Sequence, residues 1–457
     1  MQEQIEQTVI EKSVELDLVN SRVRVDLPFM KDPIQFLQEK HRSDNNYRQA
    51  KRVYDTQCRK SENAKISMRK VHKELVDKGF MVKLEDLPGN QREIIDESGF
   101  RHYYPWRMIT KEDSLSTPVR MVVDPTMTHL NLILAKGENL LGRMLDIMIA
   151  NRTLPYAWSS DISKLYNQLH LKDSALPFSL FLYDESLSAA VDPQIYVMVR
   201  AWYGVTPTGA QAGFAISSLV SKFSEMYPEA VEPLEKSRYV DDIISGASSK
   251  EVRELQITQS TAVLAKGGFK FKFIARSGQK PCEKASADEE TMKLLGYKWN
   301  LELDLLFPGL GELNFNKKKR GSKAPNSCPV VTRADAEKLL RSLIITRKIV
   351  VAKVAEFFDP IGLFEPIKLQ MKLRLKELNG LDWDEPLDLT IQEEWKTSFL
   401  DYIDYPSMTA RRSVIGLDDG DKDIWLICVS ELVYIEMILA QCSFSFQKSK
   451  SGEVMYK

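Results

Sequence analysis

Arg238-Tyr239-Val240-Asp241-Asp242-Ile243-Ile244-Ser245-Gly246-Ala247 is the stretch on which the fold turns. It reads as a short strand, a tight turn and a second strand. Two adjacent acids inside an apolar strand context are costly, because like charges repel and each resists leaving water. A divalent cation relieves both problems, since hard cations take oxygen ligands. Side chains alternate along a strand, so only one of the two acids is expected to share a site directly, and a third carboxylate must come from elsewhere. Asp161, in Tyr156-Ala157-Trp158-Ser159-Ser160-Asp161-Ile162, ends an apolar strand ahead of a short helical turn and is the best candidate. Two strands that each offer an aspartate at one edge suit two Mg²⁺ ions roughly 4 Å apart and an in-line phosphoryl displacement. Read alone, the paired aspartates fit a solvated turn better than a metal site.

The surroundings narrow the choice. The chain has 457 residues, 43% apolar and 28% charged, which as a prior means two to four domains. Five scattered cysteines contain no CxxC pair, and the histidines show no metal spacing, so metal chemistry falls to carboxylates. They read as reduced thiols in an intracellular protein. No run approaches the roughly 18 apolar residues of a membrane helix, and the charged N-terminus is unlike a secretory signal. The net charge of -1 excludes a uniformly basic nucleic-acid binder but conceals an asymmetry. Lys317 to Glu377 carries 15 Lys/Arg and 6 Asp/Glu, a local +9, leaving about -10 for the rest. A surplus sustained that far suits a polyanion better than a solvated helix face.

Helix is expected over 46–79 with Gly79 as its stop, after about Gly137, over 210–226, over 250–266 and through most of 332–399. Strands are expected at 100–109, 119–123, 154–162, 178–184, 194–204, 269–275 and 293–300. Mixed order without a βαβ rhythm predicts α+β.

Set in order, these segments resemble the reverse transcriptases of LTR retrotransposons, most closely the BEL/Pao (Pao) group, from about Tyr103 to Leu387. VRMVVD (119–124), LNLILAKGENLL (130–141), SSDISKLYNQL (159–169), WYGVTPTGAQA (202–212), YVDD (239–242), AKGGFKFKF (265–273) and LLGYKW (294–299) match its motifs in sequence. FFDPIGLFEPIKLQMKLRLKELNGLDWDEPL (357–387) is the most group-specific. The resemblance implies a right-hand polymerase of fingers, palm and thumb, its palm an antiparallel sheet packed on helices, followed by a connection-like segment. It divides the chain into 1–95 (N-terminal helical extension or fingers support), 96–155 (fingers), 156–310 (palm, with a fingers insertion at about 168–198), 311–395 (basic helical thumb) and 396–457 (connection and a truncated RNase H-like start).

The implied activity is RNA-directed DNA synthesis in a retrotransposon's replication and integration cycle, with two Mg²⁺ (or Mn²⁺) on Asp161, Asp241 and Asp242. Arg120 and Lys111 would hold the triphosphate, with Lys270, alternating with Lys272, near the leaving phosphate. Tyr166, five residues after Asp161, would exclude the 2′-hydroxyl, and Tyr203 and Gly204 would line the nucleotide. Gln211 is expected on a helix surface. Gly296 and Tyr297 would grip the primer, and Lys317, Lys318, Lys319 and Arg320 the duplex. Partners would be an RNA template with its DNA or RNA primer, dNTPs and other parts of a parent polyprotein. The setting would be a cytoplasmic virus-like particle with a nuclear phase, and no membrane. The loop Thr206-Pro207-Thr208-Gly209 departs from the group's serine-rich sequence. Cys428 stands where related elements carry an RNase H aspartate, and the chain ends about thirty residues later, so no RNase H activity is expected. No Asp-Thr-Gly or Asp-Ser-Gly marks a protease. The ends read as cuts through a polyprotein. A catalytically silent or domesticated nucleic-acid-binding remnant is the alternative, and an RNA-copying RNA polymerase on the same palm is a third.

Overall fold

A computed structural model describes residues 2–41, 45–110, 119–137, 142–283, 285, 290–308, 333–356, 359–404 and 409–414, and three short strands within 423–456. The chain forms two compact units that do not follow sequence order: Met1–Arg143 with Ser159–Ser245 and Lys250–Ile274, and Met144–Trp158 with Gly246–Ser249 and Ala275–Lys457. Helices and sheets are mixed in both, as the α+β reading anticipates. Among the described residues no helix is long and apolar enough to cross a membrane.

The first unit opens with the helix Gln2–Ser13 and a hairpin, β1 (Val14–Asp17) and β2 (Arg22–Val25). The alternation in Arg22-Val23-Arg24-Val25 buries the valines and leaves the arginines half-buried. The helix expected over 46–79 is two, Asn45–Cys58 and Glu62–Asp77. Ser61 starts the second by accepting a hydrogen bond from the Ala64 amide, and such a capping hydroxyl competes with continued helix. Gly79, at φ +65, is the stop, as expected. Then come β3 (Met81–Lys83), the pair β4 (Trp106–Thr110) and β5 (Val119–Val123), and β6 (Tyr156–Ile162). They are followed by β7 (Leu169–Leu171), β8 (Leu180–Tyr183) and β9 (Gln194–Met198). After the helix Thr208–Phe223, β10 (Arg238–Tyr239) and β11 (Asp242–Ala247) form the expected hairpin, and β12 (Phe271–Arg276) follows the helix Lys250–Lys266.

Besides the β4–β5 pair, three sheets organise this unit: β1-β2-β7, β3-β9-β8, and β10-β11-β6-β12, which carries the aspartates. The core under β3-β9-β8 and the β4–β5 pair is aromatic, with Tyr54, Trp106, Phe181, Tyr183 and Trp202 all buried. His72 stacks on Tyr183 at 3.5 Å, and burial lowers its pKa to about 4, so it stays neutral at physiological pH. The N-terminal residues are thus part of the unit's framework, supplying a strand hairpin as well as helices.

In the second unit β13 (Thr291–Leu294), β14 (Tyr297–Asn300), β15 (Leu305–Pro308) and β16 (Ala410–Arg411) make an antiparallel sheet. Arg412, fully buried, holds it to the segment at 151–155. Its guanidinium meets both carboxylate oxygens of Asp304 at 2.7 Å and donates to the carbonyls of Asn151, Leu154 and Pro155. Truncation strands a carboxylate and three carbonyls, so Arg412→Leu is expected to lower unfolding free energy by about 3–5 kcal/mol. A denaturant titration checks this, and an unchanged midpoint would contradict it.

Candidate active site

β6 lies between β11 and β12, which brings Asp161 to the turn at Val240-Asp241, 80 residues away in sequence. Two backbone bonds pin its exit: the Ile162 amide donates to the Asp241 carbonyl at 2.7 Å, and the Ser163 amide to the Lys270 carbonyl at 2.8 Å. Ser160 adds a bond from its hydroxyl to the Phe273 carbonyl.

The turn itself is strained. Tyr239 pairs with Asp242, leaving Val240 and Asp241 as a two-residue hairpin loop. Such loops match the twist of the strands when the first central residue has positive φ, a role suited to Gly or Asn. Here a β-branched valine takes it, at φ +58. The conformation costs on the order of 1–3 kcal/mol. Asp241 is therefore in the turn and not within a strand, so strict alternation does not separate it from Asp242.

The turn is held from behind. Glu232 accepts hydrogen bonds from Ser237 and from Ser245 (2.6 Å), one on each arm of the hairpin. Buried Arg238 donates to the Leu234 carbonyl at 3.1 Å and to the Val240 carbonyl at 3.4 Å. Neither residue is legible as a site residue in the sequence, because the 13-residue span from Glu232 to Ser245 has no local periodicity.

Burial first and the Asp241 charge second push the Asp161 carboxyl up to about 6, with Lys272 and Arg120 opposing. Asp242 is pushed to about 7 by burial, then by Asp241 and Asp161, with Lys272 opposing. The three acids thus feel one another's charge. Lys272, more than the Lys270 singled out above, is the lysine whose field reaches them. Lys270 is exposed and precedes β12. Arg120 is exposed on β5, whose Met121 and Val123 are buried, and its field reaches Asp161 and Tyr203.

Tyr166 and Tyr203 pack with ring centroids 4.9 Å apart. Burial and the Asp241 charge raise both phenols, that of Tyr203 to about 12. Gly204 has φ +104, and a Cβ there would lie 2.5 Å from the Val123 carbonyl oxygen, so glycine is required by the protein's own backbone. Asn131 braces the loop, donating to the Gly204 carbonyl at 2.9 Å and accepting from the Thr206 amide at 3.0 Å. Gln211 is not on the surface: it is buried and donates to the Ser13 hydroxyl at 2.8 Å and the Asp26 carbonyl at 2.7 Å.

In the second unit Gly296 has φ +99, as a tight β13–β14 turn requires. Tyr297 is buried and donates its hydroxyl to Asp359. Lys111, Lys317, Lys318, Lys319, Arg320 and Cys428 lie outside the described residues.

Among the described residues no three His, Cys, Asp or Glu side chains stand together closely enough to enclose a metal ion by themselves. The acids still suit a hard cation. Their mutual repulsion is the deficit such a charge removes, and Mg²⁺ commonly takes one or two carboxylates with water and substrate phosphate completing the shell.

Residues 346–433 match the family model described as the Pao retrotransposon-like RNaseH-like domain. The match overlaps the stretch assigned above to a basic thumb and runs through Cys428. The expected absence of RNase H is thereby not supported, and it is withdrawn. No curated protein matches the sequence at a significant level. Among solved structures, the chain is similar to the foamy viral protease-reverse transcriptase dRH in complex with double-stranded DNA. That likeness has 14% identity and a TM-score of 0.43, covering 74% of this chain and 48% of that one. It is also similar to the foamy viral protease-reverse transcriptase in complex with RNA/DNA hybrid, at 14% identity and TM-score 0.41, covering 75% of this chain and 37% of that one. The chain spans about half or less of those proteins. Over its C-terminal part, then, this sequence carries a retrotransposon-type RNaseH-like match, preceded by a unit that gathers three aspartates, an arginine and a lysine.

Proposed function

We propose that the first unit is the catalytic core of an RNA-directed DNA polymerase from a Pao-type LTR retrotransposon. The observation that carries the reading is Asp161 bonded, through its neighbour's amide, beside the Val240-Asp241-Asp242 turn, with Arg120 and Lys272 in electrostatic reach. The motif order and the retrotransposon match at 346–433 support it. In this reading Asp161 and Asp241, helped by Asp242, hold two Mg²⁺ (or Mn²⁺) ions. When bound, such ions acidify the primer 3′-hydroxyl and neutralise the triphosphate.

The chain's own groups would supply position and charge. The primer 3′-hydroxyl would lose its proton to water, and its oxygen would bond to the α-phosphorus of a dNTP as the α–β bridge breaks and pyrophosphate leaves. Arg120 and Lys272 hold phosphate oxygens by charge-assisted bonds. Template, primer and polyprotein partners, and a virus-like particle as the setting, follow from the same reading.

Primer extension on an RNA template with Mg²⁺ tests the proposal. Extension by the native chain no greater than by an Asp241→Ala variant would leave the silent nucleic-acid-binding reading in its place. Tyr166 gives a finer test. If its ring excludes the 2′-hydroxyl, Tyr166→Ala lowers the preference for deoxynucleotides, as the ratio of kcat/KM values, by about 100-fold. Equal ratios in the two proteins would remove Tyr166 from that role.

A further inference from the structure

The β1-β2-β7 sheet shows one face to the core and another to solvent. On the core face Val23, Val25 and Leu169 are buried. The solvent face carries a row fixed by strand register. Arg24 pairs with His170, and His170 bridges to Arg200. Residues in register across a sheet share a face, and like charges set side by side are destabilising. Arg22 and Lys172, two positions along from Arg24 and His170, extend the same face.

The acids on this face do not balance it. Asp17 pairs with Arg22 at 2.7 Å. Glu15 is shared between Lys172 at 2.9 Å and Arg24 at 3.9 Å. The described contacts of Arg200 are the Gly79 carbonyl at 3.4 Å and the Phe80 ring at 5.9 Å. Four cations against two carboxylates leave a surplus of two. Burial and then Arg22 lower Arg200 to about 10, and burial followed by Arg200, Arg22 and Arg24 lowers His170 to about 4, Asp17 opposing.

The face is also joined to the active site. β7 starts eight residues after Asp161. The β1–β2 turn abuts Gly268, where a Cβ would lie 2.8 Å from the Ser21 carbonyl oxygen, two residues before Lys270.

We infer that the Arg24–His170–Arg200 row is a phosphate-binding track for the backbone of the nucleic acid that the polymerase copies. The inference rests on the polymerase reading for its ligand and not for its charge. An anion with regularly spaced negative charges lets two unbalanced cations be neutralised at once, and its contacts would be to phosphate and therefore indifferent to sequence.

Fluorescence anisotropy of a labelled RNA–DNA primer-template, titrated with salt in EDTA, tests the track without catalysis. The full chain is compared with an Arg24→Gln/Arg200→Gln double variant. Losing two phosphate contacts is expected to weaken binding about tenfold near 0.1 M salt and make the slope of log K against log[salt] less negative by about 2. An Arg24→Lys/Arg200→Lys variant keeps the charge and is expected to restore the slope. An unchanged slope in a double variant that melts like the native chain would overturn the track. So would a variant that loses affinity only for inorganic tripolyphosphate, since that outcome marks a small-anion site. If the slope shifts as expected while the native chain extends no primer, the track stands and the polymerase reading alone falls.

Discussion

Asp241→Ala is expected to abolish primer extension, lowering the rate constant about 1000-fold or more at saturating template and nucleotide. The reason is position. Asp241 occupies the first unit's strained turn, and its carbonyl is bonded to the residue following Asp161, so it stands where the two aspartate-bearing strands meet. Removing a carboxylate that holds catalytic cations forfeits transition-state charge stabilisation of several kcal/mol, and about 4 kcal/mol corresponds to a factor of 1000. Single-turnover kinetics with preformed primer-template complex isolate that step. A loss below tenfold would remove Asp241 from the centre of the chemistry. The isosteric Asp241→Asn should be nearly as inactive, because it keeps shape and loses charge.

The second large effect concerns stability. Asp161 and Asp242 have folded-state values of about 6 and 7, above the ordinary 3.8. As pH rises from about 4 to 7, the unfolded chain loses these protons first, so the folded state holds more of them and its stability falls through that window. In EDTA the first unit should therefore be less stable at pH 7.5 than at pH 5, by on the order of 4 kcal/mol from this pair. Millimolar Mg²⁺ should recover the loss at pH 7.5 and have little effect at pH 5, where the acids hold protons. Asp242→Asn should raise the melting midpoint at pH 7.5 in EDTA and flatten the pH profile. A variant less stable than the native chain at that pH would show that the carboxylate stabilises the fold and is not held against repulsion. Under the two-cation proposal, the repulsion that raises these carboxyls is what bound Mg²⁺ would relieve.

Much of this was legible in the order of residues. The two-strand reading of 238–247, Asp161 at a strand exit and the helix over 250–266 all rest on local periodicity and turn chemistry, which neighbours in sequence decide. The break at Ser61 was legible in principle, since a capping serine followed by Glu62 is a start signal, but the polar, charged run masks it. Gln211 could not be read. A polar residue on a helix looks like surface until another segment covers it, and here the cover comes from Ser13 and Asp26, nearly 200 residues earlier.

What the sequence by itself determined, then, are the pieces: a hairpin with two acids at its tip, a third acid ending another strand, and alternating lysines on a third. Tertiary structure decided their combination. The placing of β6 between β11 and β12 sets Asp161 against the turn and brings the Lys272 field onto the acids. The bridge from His170 to Arg200 assembles a basic row from three separated segments. The physical reason is that strand order and register are set by long-range pairing and burial of whole sheet faces, which no local pattern encodes.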